Sequence, residues 1–267
     1  MQRTVGASLE LAVDGRAEIV LAVAAAEPYG AAGLLTETLA VVHDGRAARP
    51  EEIGDAHGTR LHRLVLEGGE VTVRYDAEVS GQVDAAPASA LDPVRYLRPS
   101  RYCESDALLP TARSEFAGLA GKDLLDAVSS WVGDKLVYLP GSSRPTDGAQ
   151  ATLLARQGVC RDYAHLVVAL LRALDVPARL AAVYAPGLDP MDFHAVAEAW
   201  VGGAWQVVDA TALAPRQTLL RIATGRDAAD TAFLTTSGGP VTLRSMEVTA
   251  VADELPRDDV RRTVQIR

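Results

Sequence analysis

The chain has 267 residues, of which 48% are hydrophobic and 23% are charged, and its formal net charge is −9. This length suits one large domain or two modest ones, and the composition is that of a globular protein with a substantial core rather than a disordered chain. Because the chain is acidic and has no basic stripe with interleaved aromatic residues, we expect no nucleic-acid partner.

The first 85 residues are predicted to form a small β-sandwich. Residues 71–79 alternate between apolar and polar side chains, which is the period of two typical of a strand with one buried face. Residues 9–13 alternate likewise before an Asp14-Gly15 turn, and Gly68-Gly69 is predicted to join two strands of a hairpin. Several short strands separated by glycine-containing turns favour an antiparallel sandwich.

A connector is predicted between the sandwich domain, residues 1–85, and a second domain over residues 111–267. The connector spans residues 86–110 and is rich in proline, which restricts helix and sheet alike. Its prolines are Pro87, Pro93, Pro99 and Pro110.

The second domain is predicted to be an α+β core. Apolar residues at helical spacing predict a helix over 121–135, and a nearly all-apolar helix over 160–174 is expected to be buried. Gly202-Gly203 is predicted to be a tight turn between two strands. The strands are predicted over residues 178–184, 194–201, 205–209, 241–243 and 246–251. This order indicates antiparallel strands packed on a central helix.

Three residues with nucleophilic or acid–base chemistry lie at the ends of these elements. Cys160 begins the buried helix, where unpaired backbone N–H groups and the helix dipole favour a thiolate. His194 begins one strand and Asp209 ends the next. If the turn pairs residue 201 with 204, Asp209 lies diagonally across from His194 on the same face. We therefore predict a Cys-His-Asp nucleophilic site, with the Cys160 N–H as an oxyanion donor.

Residues around this site have less specific interpretations. Gly158 is expected to let the backbone approach a substrate carbonyl closely. His165 lies five residues into the helix and is rotated away from Cys160, so we interpret it as structural. Trp131 and Tyr138 are candidates for a second oxyanion donor, although core packing is favoured for both. Beyond these, Arg161 and Asp162 are expected to pair or to cap the helix, and Glu198 is expected to face solvent or to pair with an arginine.

The sequence favours neither a metal site nor export. Besides Cys160 the chain has one cysteine, Cys103, interpreted as structural, and no C-x-x-C or H-E-x-x-H pattern, so neither a metal nor an organic cofactor is expected. No signal peptide is apparent, and no window reaches the roughly 18 apolar residues that a membrane-spanning helix needs. We expect a cytoplasmic protein without a membrane partner.

The sequence resembles the bacterial transglutaminase-like superfamily, in the group with an N-terminal β domain. The matching segments are GVCRDYAH at 158–165, HAVAE at 194–198, VDAT at 208–211 and YLRPSRYC at 96–103. The resemblance implies a papain-like core with Cys160 as nucleophile, His194 as base and Asp209 as the residue that orients the base. Two positions depart from the family pattern: Val196 replaces a common aromatic residue and Ala210 a common proline, and both bear on the substrate cleft.

Thiol-dependent acyl chemistry at an amide is the function that this resemblance implies. The first alternative is hydrolysis of a peptide, amide or isopeptide bond through an acyl-enzyme thioester. The second is amine transfer onto a glutamine-like acyl donor, which uses the same triad. The third is a non-catalytic scaffold of the same fold. The expected partner is a protein or peptide substrate with an amide acyl donor, and the sequence leaves the oligomeric state open.

Overall fold

The computed structural model describes residues 1–85 and 89–267, so Pro87 of the predicted connector lies outside the described residues. The strands are β1 (Gln2–Val13), β2 (Ala17–Leu21), β3 (Leu35–His43), β4 (Arg46–Ala48), β5 (Glu51–Gly54), β6 (Arg60–Leu66), β7 (Gly69–Ser80), β8 (Val137–Tyr138), β9 (Gln157–Gly158), β10 (Ala178–Tyr184), β11 (Phe193–Val201), β12 (Ala204–Val208), β13 (Leu220–Gly225), β14 (Leu234–Gly238) and β15 (Val241–Ala252). The α-helices are α1 (Glu27–Ala31), α2 (Asp92–Leu97), α3 (Ser105–Glu115), α4 (Gly121–Lys135), α5 (Ala149–Ala155), α6 (Cys160–Ala173) and α7 (Ala228–Thr231).

Two antiparallel sheets form the N-terminal β-sandwich. Their strand orders are β15-β1-β7-β3-β4 and β14-β2-β6-β5. As the alternation predicts, β7 buries every second side chain from Val71 to Val79. These side chains share one core cluster with Ile19 and Leu64 of the other sheet. The predicted α+β class with an N-terminal β domain is confirmed.

The strands on either side of Gly68-Gly69 do not form a hairpin, so that prediction is wrong. β6 pairs with β2 and β5, whereas β7 pairs with β1 and β3 in the other sheet. Gly68 and Gly69 have φ angles of 109° and 104°, which glycine adopts at little cost, and there the chain crosses from one layer to the other. A period of two reveals which face of a strand is buried but not which strand is its neighbour.

The C-terminal part of the chain returns to the sandwich. The two short runs predicted at 241–243 and 246–251 form one strand, β15, which pairs with β1 from Arg3↔Ala252 to Val13↔Val241 and contains one register shift. β14 pairs with β2 in the second sheet. The sandwich is therefore assembled from both ends of the chain, with β15 and β14 as an edge strand of each sheet.

The connector region is more helical than its prolines suggest. It contains α2 and the beginning of α3. Pro93 lies in the first turn of α2, where a missing N–H has no cost, while Pro110 lies inside α3. The division of the chain at residues 1–85, 86–110 and 111–267 stays a prediction.

A four-stranded antiparallel sheet with the order β12-β11-β10-β13 packs on α6 and forms the second half of the fold. The predicted register is the observed one, since Val201 pairs with Ala204. Gly202 and Gly203 have φ angles of 65° and 79°, as a two-residue type I′ turn requires. No helix among the described residues is long and apolar enough to cross a membrane.

A buried ionic cluster stabilises this sheet beside the sandwich. Glu198 on β11 is 1% exposed and accepts hydrogen bonds from Arg179 at 2.8 Å and from Arg221 at 2.7 and 2.9 Å. Arg179 also lies 4.0 Å from the ring centroid of Trp205 and 3.3 Å from Nδ1 of His57. Burial raises the pKa of Glu198, but the two guanidinium groups outweigh it and hold the pKa at about 2. Of the two expectations for Glu198, pairing with arginine is the one found.

We predict that Glu198→Gln lowers the free energy of unfolding by about 3–5 kcal/mol, because it leaves two buried guanidinium groups without their counterion. Urea unfolding at neutral pH measures the loss. Because the pKa of Glu198 is depressed, its contribution is present above the unfolded pKa of about 4.3 and is lost as the pH falls towards 2.

The matched control for this prediction is Glu18→Gln. Glu18 forms a similar pair with Arg63 at 2.8 Å, but both side chains are more than one third exposed. Its loss is expected to be much smaller than that of Glu198→Gln because solvent screens the pair. If both variants lose the same free energy of unfolding, the buried cluster contributes no more to stability than an exposed ion pair.

Candidate active site

The first turn of α6 holds Cys160 in a defined backbone geometry. Cys160 is the first helical residue and is half-buried, and Val159 is the N-cap. The fully buried carboxylate of Asp162, three residues after the N-cap, accepts the Val159 N–H at 2.8 Å and the Ser143 hydroxyl at 2.5 Å. Arg161 pairs with the same carboxylate at 2.9 Å. The expected pairing and capping by Arg161 and Asp162 are both present, and they fix the chain where the Cys160 N–H begins the helix.

The structure explains the glycine at position 158 in a different way from the sequence analysis. A Cβ at this position would lie 2.7 Å from the Cβ of Asp162 and 2.9 Å from its Oδ2. The missing side chain therefore leaves room for the capping carboxylate, while the predicted close approach to a substrate carbonyl stays a prediction. Gly158 also lies in β9, which pairs with β8 at Tyr138.

His194 and Asp209 form a buried pair on neighbouring strands. His194 is 2% exposed on β11, and its Nε2 lies 3.1 Å from Oδ2 of Asp209, which follows β12 directly. The N–H and the hydroxyl of Thr211 donate to the other oxygen, Oδ1, at 2.9 and 2.7 Å. The sequence analysis missed this role of Thr211, although an Asp-x-Thr pattern is a signal for such a local turn. Asp209 is thus held from one side while it orients the ring from the other.

The charge state of the pair follows from its surroundings. Burial lowers the pKa of His194, but the carboxylate of Asp209 and the nearby Cys160 thiol raise it to about 10. Burial raises the pKa of Asp209, but His194 and Thr211 bring it below its ordinary value. At neutral pH the pair is therefore an imidazolium and a carboxylate. The other ring nitrogen, Nδ1, is buried and has no hydrogen-bond partner among the described residues.

Tyr138 is a second polar group beside the thiol. Burial and the neighbouring Cys160 thiol raise the pKa of Tyr138 to about 12, so its hydroxyl stays protonated and able to donate. Trp131, the other residue considered as a second oxyanion donor, instead donates Nε1 to Glu115 at 2.9 Å and packs edge-on against Phe116. Core packing therefore describes Trp131, whereas Tyr138 lies at the site.

His165 and Cys103 occupy structural positions, in agreement with the sequence analysis. Nε2 of His165 accepts the N–H of Ala228 at 3.1 Å, the ring stacks on Tyr102, and burial lowers its pKa to about 4. Cys103 is fully buried in the core around α6, and burial raises the pKa of its thiol. Within the described ranges, no group of three or more His, Cys, Asp or Glu side chains is placed to hold a metal ion.

An open cleft of about 740 Å³ borders Cys160 and His194. Most of its lining is apolar. The lining residues come from the start of α6, the core sheet, the α7 region and the sandwich. The largest apolar side chains among the lining residues are Leu180, Phe193, Ile222, Phe233 and Met246. Neither Val196 nor Ala210, the two departures from the family pattern, is among the described residues that line the cleft.

Comparison with known proteins shows which family this fold belongs to. The family model of the transglutaminase-like superfamily matches residues 117–210, which contain Cys160, His194 and Asp209. The crystal structure of a candidate cysteine protease from Cytophaga hutchinsonii is 31% identical in sequence with a TM-score of 0.85, and the alignment covers 96% of this chain and 92% of that chain. The likeness to that protein thus includes the sandwich as well as the core.

Two other similar proteins are more distant. An uncharacterised protein from Mycobacterium leprae is 30% identical over 116 residues, which are 40% of this chain. The chain spans 42% of the length of that curated relative. The periplasmic domain of TgpA from Pseudomonas aeruginosa, bound to ethylmercury, is 19% identical with a TM-score of 0.41 over 76% of this chain and 91% of that chain.

We predict that Asp209→Asn lowers the pKa of His194 from about 10 to below the ordinary histidine value of about 6.5. The ring stays buried while the carboxylate that stabilises its charge is lost, so burial becomes the dominant effect. An NMR titration of the five histidine side chains measures the change.

Asp192→Asn is the matched control for that titration. Asp192 also borders the cleft, but its Oδ1 accepts the N–H of Phe193 at 2.7 Å rather than the ring of His194. We expect this variant to change the pKa of His194 only slightly. A pKa of His194 that stays near 10 in Asp209→Asn would contradict the account of the pair.

Proposed function

The chain belongs to the transglutaminase-like superfamily, and we propose that it is a cysteine peptidase or amidase acting on a peptide, amide or isopeptide bond. The observation that carries the proposal is the buried His194–Asp209 pair beside a cysteine in the first turn of a helix. A thiol nucleophile needs a neighbouring base, and the base needs a third group that orients it. The full-length likeness to the candidate cysteine protease supports hydrolysis.

In the first step, the Cys160 thiolate attacks the carbonyl carbon of the scissile amide and forms the carbon–sulfur bond. The carbonyl oxygen takes the negative charge, and the backbone N–H of Cys160 at the helix N-terminus donates to it. The protonated hydroxyl of Tyr138 is the second donor in this proposal. Asp162 and Ser143 keep the first helical turn in place while charge develops on the oxygen.

In the second step, the imidazolium of His194 gives its Nδ1 proton to the departing amine as the carbon–nitrogen bond breaks. The acyl group remains on Cys160 as a thioester, and Asp209 keeps the ring oriented through Nε2. Neutral His194 then takes a proton from water, which attacks the thioester and releases a carboxylic acid. An amine in place of that water would give acyl transfer with the same residues.

The first test of this proposal is the reaction of Cys160 with iodoacetamide as a function of pH, read by peptide mass spectrometry. An imidazolium beside the thiol stabilises the thiolate, so we expect Cys160 to be alkylated faster than an ordinary thiol at mildly acidic pH. We expect His194→Ala to lose that low-pH reactivity.

Two control thiols accompany the alkylation experiment: Cys103 of the same chain and free N-acetylcysteine. Cys103 is fully buried, so it stays unmodified in folded protein and reports unfolding if it reacts. N-acetylcysteine in the same tube serves as the reference for an ordinary thiol. If Cys160 of folded protein follows that reference, or if His194→Ala reacts like the wild type, no thiolate–imidazolium pair forms and the scaffold alternative replaces the enzyme.

A further inference from the structure

The cleft beside Cys160 has an apolar wall that comes from outside the matched family core. The family model ends at residue 210, whereas Ile222, Phe233 and Met246 follow it in the chain. The ring of Phe233 stacks on Phe193 with centroids 5.1 Å apart. The backbone carbonyl of Phe233 accepts the N–H of Ala22 at 3.0 Å, which ties this wall to the sandwich.

The charged groups that line the cleft already have hydrogen-bond partners within the protein. Arg161 is bound by Asp162 at 2.9 Å and by Ser143 at 2.9 Å. Asp192 accepts the N–H of Phe193, and His194 belongs to the pair with Asp209. A ligand group seated against the remaining lining therefore meets mostly aliphatic and aromatic carbon.

We propose that this cleft binds an apolar side chain, aliphatic or aromatic, from the acyl half of a peptide substrate, and that Met246 and Phe233 determine this specificity. The inference rests on the proposed function, because it assumes that Cys160 forms the thioester. The acyl half stays bonded to Cys160 through both chemical steps while the amine half leaves after the first. A pocket that borders the thiol therefore contributes to the whole reaction by holding the acyl half.

A glutamine side chain is a poor occupant of this cleft. Its amide would lose hydrogen bonds to water without gaining partners from the apolar wall. Leucine has nearly the same size and no such groups, so it is the preferred occupant. Discrimination between side chains in an apolar pocket is roughly tenfold or more. The same wall thus favours cleavage of a backbone amide next to an apolar residue over acyl donation by glutamine.

The test uses two electrophiles that differ only in these side chains: acetyl-Leu-Leu vinyl sulfone and acetyl-Gln-Gln vinyl sulfone. In each, the thiolate of Cys160 adds to the carbon–carbon double bond and the carbanion takes a proton from His194, so no group leaves. Intact-protein mass spectrometry gives the second-order labelling rates. We expect the leucine probe to react roughly tenfold faster or more.

Met246→Glu and Leu243→Glu form a matched pair of variants. Both residues lie on β15 and both are 37% exposed, but only Met246 lines the cleft. We expect Met246→Glu to reduce the preference for the leucine probe severalfold and Leu243→Glu to keep it. Leu243→Glu, which lies outside the cleft lining, should leave iodoacetamide labelling unchanged, and for Met246→Glu the preference is the ratio of its own two probe rates, which cancels any change in the reactivity of the thiol. Thermal unfolding checks the fold, and Met246→Gln is the milder variant if the charge prevents folding.

The outcomes separate the two proposals. Equal labelling by the leucine and glutamine probes, with iodoacetamide reactivity intact, would overturn the apolar pocket and leave the proposed function standing. The same result for Met246→Glu and Leu243→Glu would overturn the role of Met246. If Cys160 of folded protein fails to react with iodoacetamide at low pH, the proposed function fails and the pocket inference fails with it.

Discussion

The buried hydrogen bond between His194 Nε2 and Asp209 Oδ2 is the interaction on which the site depends. It needs the β11–β12 register, which the Gly202-Gly203 turn sets, and it leaves the other ring nitrogen, Nδ1, without a hydrogen-bond partner among the described residues. The nucleophile comes from a separate element, the first turn of α6, which Asp162 fixes by capping. A hairpin and a helix start that are separate elements of the chain thus border the same cleft.

The sandwich and the core sheet pack directly against each other. Tyr184, Leu220 and Ile222 of the core sheet pack in the same cluster as the inner face of the sandwich, and the Tyr184 hydroxyl donates to the carbonyl of Val23 at 2.8 Å. Met246, on a strand that pairs with β1, lines the cleft next to the thiol. The β domain therefore builds part of the site rather than standing beside it.

The sequence predicts the local parts of this arrangement well, because a helix start and a two-residue hairpin are determined by nearby residues. The placing of Cys160 on α6 and the Val201↔Ala204 register are of this kind. Pairing between strands that are far apart in the chain leaves no such signal. The predicted hairpin of β6 and β7 was therefore wrong, and the pairing of β15 with β1 was not predicted. The place of Met246 in the cleft follows from that same distant pairing.

The central claim is that acyl groups pass through a thioester on Cys160. The most direct measurement is the intact mass of the protein after rapid acid quenching during turnover of an activated peptide ester, followed by peptide mapping. The account predicts a mass increase equal to the acyl group, located on Cys160 and absent from Cys160→Ala. Turnover without any adduct on Cys160, or turnover that survives in Cys160→Ala, would contradict it.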